Sequence, residues 1–399
     1  MREIIYEPID SEVALDILVS TRWKTAYWDD KRSLLMKIIY DKYELRNLKL
    51  WGDNVEAKYI LELQREFKMK RPPLTPASLT FNVLKRAGFL HKYNLHSKRN
   101  EWLRRAYFGG KVLVYRDYLK KGYFYDVNAF YPFIILNFDM PIGKGFYIRQ
   151  WDPRIWKRYN YPITFVEAEV DIKSEWLPSR SENGEIEWKE RGKIIGVWDW
   201  DLLRIGREYE AFEVVNFGEA MIFRRGQLPF EFLYDFYERR KEADFWKVAM
   251  NAAYGIWASN PIKTVLSMEL PEKIEGVKLL KDPPDPIWIW QIRKHPYPQN
   301  YAIAARITSI AILIMNILRY QHMREIAYID TDSLHSERHL NLKVSDDIGK
   351  WKVQEAVEIR YLGKKWYEYV DPLTGEIIKV GRPWITPFEL FSQINKIAS

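Results

Sequence analysis

The 399-residue chain contains no cysteine. That absence removes a disulfide scaffold, a thiolate zinc site and a cysteine nucleophile together, and it fits a reducing, intracellular setting. An export signal is also absent: Met-Arg-Glu-Ile-Ile-Tyr-Glu-Pro at the N-terminus has no apolar run followed by a small-residue cleavage site. Nor is there an uninterrupted apolar span of the roughly 20 residues that crosses hydrocarbon. The most apolar stretch, Ile307 to Leu318, is bounded by Arg306 and Arg319 and interrupted by Ser309 and Asn316. It reads as a buried core helix, so the sequence points to a soluble, cytoplasmic protein with no membrane partner. No repeat period or low-complexity tract stands out.

What is present is globular in character, with 47% hydrophobic and 29% charged residues. The length allows two or three lobes. Lys plus Arg is 62 against 54 for Asp plus Glu, a net charge of +8. With a sequence pI near 9.1, this suggests a polyanionic partner without naming one. Aromatics are heavy at 16%, including 17 Trp and 26 Tyr, and such rings serve a core as readily as a stacking surface.

Apolar spacing of three and four predicts helices over about Glu12–Tyr27, Lys31–Tyr43 and Asn54–Lys70. The proline-bearing stretch Arg71 to Ser78 then stops helix formation and marks a lobe boundary. From Lys85 to Lys121 cations alternate with rings (Arg86, Lys92, Tyr93, Arg99, Trp102, Arg104, Arg105, Tyr107), which suits a phosphate-tracking surface and equally a basic helix packed by its aromatics. Gly122 to Pro132 reads as a strand entering a turn, 160–223 as β-rich, and Pro229 to Tyr254 as helical. Residues 258–298 show repeated prolines and little periodicity. A long helix near Ala302–Tyr320 then leads to Ile326–His335, two strands about a tight polar turn.

That turn carries Tyr328-Ile-Asp-Thr-Asp-Ser333. Asp330 and Asp332, two apart, converge at a hairpin tip and suit Mg²⁺, a hard ion that takes one or two carboxylates plus substrate phosphates. A bare Asp-x-Asp is more often a hairpin cap. Asp126, closing the apolar run Tyr123-Phe-Tyr125, offers a third carboxylate, and if it meets Asp332 the pair forms a two-metal site for in-line phosphoryl transfer. Lys247, Asn251 and Tyr254, at i, i+4 and i+7, share one helix face ahead of Gly255: a cation for phosphates, and a ring for base or sugar. Alone, that face is a solvated one with a buried Tyr. Arg239, Arg240 and Lys241 add charge nearby. His335 and His339 lack a zinc-motif glutamate and read as surface histidines.

The order Asp-x-x-x-x-Tyr-Pro (126–132), Lys-x-x-x-Asn-x-x-Tyr-Gly (247–255), Tyr-x-Asp-Thr-Asp-Ser (328–333) resembles motifs A, B and C of family B DNA polymerases. Tyr107-Phe-Gly-Gly110, Ala258-Ser-Asn-Pro261 and Lys365-Trp-Tyr367 resemble short motifs of its protein-primed branch. The resemblance covers about residues 74–385. It implies an α/β (α+β) right-hand fold with an antiparallel palm sheet, helical fingers, a small thumb and, here, a helical N-terminal lobe.

It also implies roles at the matching positions. Asp126 and Asp332, with the backbone carbonyl of Val127, would hold two Mg²⁺ ions (Mn²⁺ being able to substitute), with Asp330 supporting. Lys247 and Arg240 would neutralise the incoming dNTP, Arg239 being the competing assignment. Tyr131 would exclude a 2′-hydroxyl, while Asn251 and Tyr254 line the nucleotide pocket. Tyr107, Gly109 and Gly110 would hold the DNA template, Lys365 and Tyr367 the primer terminus, and Thr331 would contact DNA. Ala129 and Ala252 stand where the family usually has Ser; both are small enough to be tolerated.

The implied division is an N-terminal lobe (1–78), a template segment with the first part of the palm (79–144), a first branch-specific insertion (145–222), fingers (223–257), a second insertion (258–298), palm (299–338) and thumb (339–399). The insertions are the family's places for a priming terminal protein and for encircling DNA. Asp10-Ser-Glu12 spells the first exonuclease motif but sits beside a Pro and a predicted helix, and no Tyr stands four before Asp53. The expectation is a truncated exonuclease remnant without proofreading, which a separate chain could supply, and a viral or mobile-element source acting in a host cytoplasm. The rival readings are a polymerase extending nucleic-acid primers or starting without one, and a non-catalytic DNA-binding relic. Retention of Asp126, Asp330, Asp332 and Lys247 together argues against the relic.

Overall fold

The computed structural model describes residues 97–242, 244–258 and 300–381 continuously, with shorter pieces at 2–8, 25–29, 34–40, 63, 65–69, 76–86, 262–267, 278–281 and 287–293. Asp10, Glu12 and Asp53 lie outside the described residues.

A seven-stranded antiparallel sheet carries the three acidic residues. Its strand order is Ile377–Val380, Trp366–Val370, Trp351–Gly363, Tyr118–Val127, Ser333–Ser336, Ile326–Asp330, Val112–Val114. Tyr118–Val127 is central because Leu119, Tyr125 and Val127 bury one face. It pairs on one side with Ser333–Ser336 and on the other with Trp351–Gly363. The three-residue strand Val112–Val114 closes the edge beside Asp330.

A second, four-stranded sheet runs Gly192–Asp199, Ile163–Ile172, Phe212–Gly226, Met140–Ile148. Trp151, Trp176, Trp198 and Trp200 are buried in the cluster beneath it, so much of the aromatic content is core packing.

The helix Tyr301–Gln321 holds both layers together. Asn300 caps it by accepting from the Ile303 amide, satisfying a donor that helix starts leave unpaired. Ile303, Ile307, Ala311 and Met315 face one cluster, Ile312 a second, and Ala302 and Ala305 a third. The helix is long and apolar enough to cross a membrane by length and composition, but most of it is buried inside the protein. Arg306, within it, donates from Nη1 to both oxygens of Asp199 at 2.8 Å and approaches Asp201 at 2.9 Å. Asp199 also caps Trp200–Glu208 through the Asp201 amide, so one buried ion pair fixes a helix start against the core helix.

Helices Phe232–Arg239 and Asp244–Gly255 fall in the stretch from Pro229 that was expected to be helical. Pro76–Arg86 packs on the latter through Thr80, whose hydroxyl donates to the Ala249 carbonyl. That helix begins inside the stretch expected to stop helices. Pro76 is its first residue, the position where a missing amide donor is harmless.

Two further expectations are corrected. The helix predicted over 31–43 is the strand Leu34–Tyr40, and Thr25–Asp29 is a strand where the preceding helix was to end. These pair with Arg2–Pro8 and with strands from 262–293 in a six-stranded sheet. Ile38, Ile39 and Tyr40 favour strand as β-branched and aromatic residues, and pairing with strands more than 200 positions away has no periodic signature. The turn-like 258–298 region supplies Ile262–Ser267, Lys278–Lys281 and Ile287–Arg293 to that sheet.

Candidate active site

Asp330 pairs with Ser333, so Thr331 and Asp332 form a two-residue hairpin loop. Asp126 lies directly opposite Ser333 on the neighbouring strand, and the Val127 amide donates to the Asp332 carbonyl at 2.9 Å. Register alone therefore brings the acids of two motifs together from more than 200 residues apart.

The three carboxylates differ in what they touch. Asp330 is fully engaged: Lys365 Nζ donates to its Oδ1 at 2.7 Å, Thr331 Oγ1 donates to the same oxygen at 3.1 Å, and the Tyr328 hydroxyl donates to Oδ2 at 3.2 Å. Neither Asp126 nor Asp332 has a side-chain hydrogen-bond or ion-pair partner among the described residues; the Asp332 carboxylate accepts from its own amide. Burial, and then the charge of Asp126, push the Asp332 carboxyl up to about 7. Burial raises Asp126 as well, opposed by Lys352 and Lys247. A solvent-facing and a partly buried carboxylate that repel each other, with no side-chain cation paired to either among the described residues, form a donor set that suits a divalent oxygen-seeking ion. Among the described residues no group of three or more acids or histidines gathers as a closed cage; the arrangement is an open pair, which leaves room for substrate oxygens.

Tyr131 and Tyr254 stack with ring centroids 4.3 Å apart, and Tyr254 shares a hydrogen bond with the Tyr107 hydroxyl at 2.7 Å. Burial raises all three hydroxyls above the usual tyrosine range, and the Asp332 charge adds to the effect on Tyr131. They are neutral hydrogen-bonding groups on a rigid aromatic wall beside the acids. Lys247 and Asn251 are exposed on the same helix as Tyr254, and Lys247 lies within the field of Asp126. Tyr367, raised to about 12 by burial first and then by Tyr369, Asp330 and Asp126, stands against Tyr328 at a centroid distance of 5.6 Å. Gly109 and Gly110 lead into the edge strand beside Asp330.

The two candidate arginines are in different surroundings. Arg239 pairs with Glu66 at 2.6 Å and lies over Trp246 at 3.9 Å. Arg240 donates to the carbonyls of Tyr237 and Asp346 and lies over the Tyr237 ring, with no carboxylate partner among the described residues. Its charge is the less neutralised.

Some expectations shift. His335 is buried at 2% exposure, stacked on Phe124 at 3.8 Å, with Nδ1 at 3.0 Å from the Tyr361 hydroxyl; the surface reading holds for His339 but not for His335. Within 85–121, Arg105 pairs with Glu167, Arg99 donates to the carbonyls of Lys144 and Gly145, and Trp102 donates to Glu219. These groups pack onto the four-stranded sheet.

Sequence reasoning missed Lys352, Tyr328 and Arg180. Lys352 sits opposite Asp126 in register, a placement no local pattern encodes. The Tyr328 hydroxyl accepts the Lys365 amide at 2.9 Å while donating to Asp330; its place at the head of the acidic motif was the available signal. Arg180 donates to the Tyr107 carbonyl at 2.7 Å.

The family model described as DNA polymerase type B, organellar and viral, matches residues 52–283. A probable DNA polymerase of Neurospora intermedia is 22% identical over 385 residues, covering 88% of this chain and 37% of its own length. The DNA polymerase of Streptococcus phage Cp-1 is 23% identical over 273 residues, 61% of this chain and 45% of that one. The chain thus spans less than half the length of either relative. Phi29 DNA polymerase, solved with primer-template DNA and incoming nucleotide substrates, superposes with a TM-score of 0.64 at 16% identity, over 91% of this chain and 70% of that one. That likeness establishes the mixed right-hand fold with its antiparallel sheets. With more than half of its residues matched by the family model, the chain belongs to the organellar and viral type B DNA polymerases.

Proposed function

We propose that the protein is a template-directed DNA polymerase that adds dNTPs to a 3′-hydroxyl. The observation carrying this reading is the difference among the acids: Asp126 and Asp332 lie in each other's field without a side-chain partner among the described residues, while Asp330 is held by Lys365, Tyr328 and Thr331. Asp126 and Asp332, with the Val127 carbonyl, would hold two Mg²⁺ ions. Those ions would supply Lewis-acid charge, lowering the pKa of the primer oxygen and stabilising pyrophosphate.

The chain's own residues account for the remainder by positioning and electrostatics. Lys247 and Arg240 bring positive charge to the triphosphate. Tyr131 and Tyr254 form the wall against the sugar and base, with Asn251 on the same helix. Tyr107, Gly109 and Gly110 meet the template, Lys365 and Tyr367 the primer end, and Thr331 contacts DNA. Protein priming is part of the proposal, supported by the order of the short motifs at 107–110, 258–261 and 365–367. A lack of proofreading is also part of it, resting on the missing Tyr before Asp53.

The test is extension of a labelled primer on a longer template with dNTPs and Mg²⁺. Extension by the wild type and none by Asp332→Asn is the expected result. Shortening of the primer without dNTPs would overturn the proofreading statement. If the wild type binds the DNA but extends neither a nucleic-acid primer nor a hydroxyl-bearing priming protein, the polymerase reading fails in favour of a DNA-binding relic.

A further inference from the structure

Lys111, directly after the glycine pair, is buried at 1% exposure. Its ammonium donates to the Glu175 carbonyl at 2.7 Å and to Asn316 Oδ1 at 2.9 Å, with the Glu175 carboxylate 3.9 Å away. Asn316 in turn donates to the Trp176 carbonyl at 2.8 Å. Burial pulls this lysine down to about 7, opposed by Glu175. Removing an ammonium from water is expensive, and an apolar side chain of similar length would fill the same space at less cost.

What distinguishes the position is the main chain of the same residue. The Lys111 carbonyl accepts the Thr331 amide at 2.8 Å. Thr331 sits at the first position of the two-residue hairpin loop with φ at 59°, a conformation usual for glycine and unfavourable for a β-branched residue. Strain of this kind persists only where the surroundings over-determine it. Gly110 presses on the same residue: a Cβ there would lie 2.4 Å from Thr331 Oγ1. The edge strand starting at Val112 is three residues long and pairs Val112 with Asp330, so it has little register of its own to hold Lys111 in place.

We propose that Lys111 is a positioning residue. Its ammonium, anchored on Glu175 and Asn316, holds the carbonyl that fixes Thr331, and so sets Asp330 and Asp332 against Asp126. The kinetic part of this proposal rests on the polymerase reading; the structural part does not.

Lys111→Met keeps an unbranched side chain, one heavy atom shorter, and removes its donors. The first readout is hydrogen–deuterium exchange of the 329–333 peptide in the full chain. Exchange of the Thr331 amide should rise at least tenfold. Ile312→Ala, a cavity control one helical turn before Asn316, should leave it within twofold. The second readout is single-nucleotide incorporation at a temperature where all variants are folded. There kcat should fall at least tenfold in Lys111→Met, with KM for dNTP and Kd for primer-template within threefold of wild type. Asn316→Leu, which removes one anchor, should move both readouts in the same direction and serves if Lys111→Met does not fold. Unchanged Thr331 exchange in either variant, or changes no larger than in the control, would overturn the proposal. Raised exchange with unchanged kcat would overturn its catalytic part. If the wild type incorporates nothing, the functional reading fails and the exchange result alone decides whether Lys111 holds the turn.

Discussion

Lys365 donates to Asp330 at 2.7 Å, while the Lys365 amide donates to the same Tyr328 hydroxyl that bonds Asp330 from the other side. The third acid of the cluster is therefore a neutralised support beside two acids that have no side-chain partner among the described residues. Lys365→Met should lower incorporation about tenfold. The side chain is 49% exposed and such pairs contribute about 0–1 kcal/mol, so the melting temperature should move by only a few degrees. Single-turnover kinetics beside a melting curve checks both; a large loss of stability would make Lys365 a structural residue instead.

Asp332→Asn should reduce incorporation at least a thousandfold, on the order expected when a metal-binding carboxylate is removed. Primer-template affinity should be retained. Since burial and the Asp126 charge disfavour the ionised form of Asp332, the amide should also stabilise the fold above pH 7, where the wild-type acid must carry its charge, a trade common at active sites. Equal activity in the variant would remove the metal assignment.

Tyr131→Val should relax sugar selection. The ring stacks on Tyr254, and its loss leaves space beside the acids for a 2′-hydroxyl. The ratio of dNTP to rNTP incorporation should fall by at least tenfold. An unchanged ratio would take the gate role away from Tyr131.

The protein should lose stability on acidification through His335. Burial lowers its pKa from 6.5 to about 3, so the unfolded chain binds the proton first. The contribution is full above pH 6.5 and lost progressively down to about pH 3, a loss of roughly 5 kcal/mol at about 1.4 kcal/mol per unit. His335→Phe should flatten the difference in denaturation midpoint between pH 7 and pH 5, at the cost of about 1 kcal/mol at neutral pH for the lost Tyr361 bond. The same slope in both proteins would exclude His335 as its source.

Arg306→Leu should destabilise by about 3–5 kcal/mol, because it leaves the Asp199 carboxylate buried and unpaired. Adding Asp199→Asn should recover part of that loss. Chemical denaturation of the two variants decides, with full additivity of the two changes counting against a direct pair.

The acidic hairpin, the strand entering Asp126, the helix with Lys247 and Tyr254, and the core helix were legible from local pattern, because each is encoded within one contiguous stretch of the chain. Strand Ile326–Asp330 is apolar up to its acid, and the long helix repeats apolar residues at helical spacing. The N-terminal strands were misread because alternation and helical spacing overlap in runs such as Leu34–Tyr40, and their partners lie far along the chain. His335 was read as exposed because two histidines four apart carry no sign of burial; its ring is covered by Phe124, Tyr361 and Tyr367 from three other strands.

The sequence by itself determined which residues could do the chemistry, since acids, lysine, tyrosines and glycines in a fixed order are local facts. Only the tertiary structure decided their division of labour. Antiparallel register placed Asp126 opposite Ser333 and Lys352 opposite Asp126, and packing put Lys365 and Tyr328 on Asp330 while leaving Asp126 and Asp332 without a side-chain partner among the described residues. The physical reason is that a carboxylate's charge state and partners depend on what long-range pairing brings within a few ångströms of it, and nothing in the flanking residues specifies that.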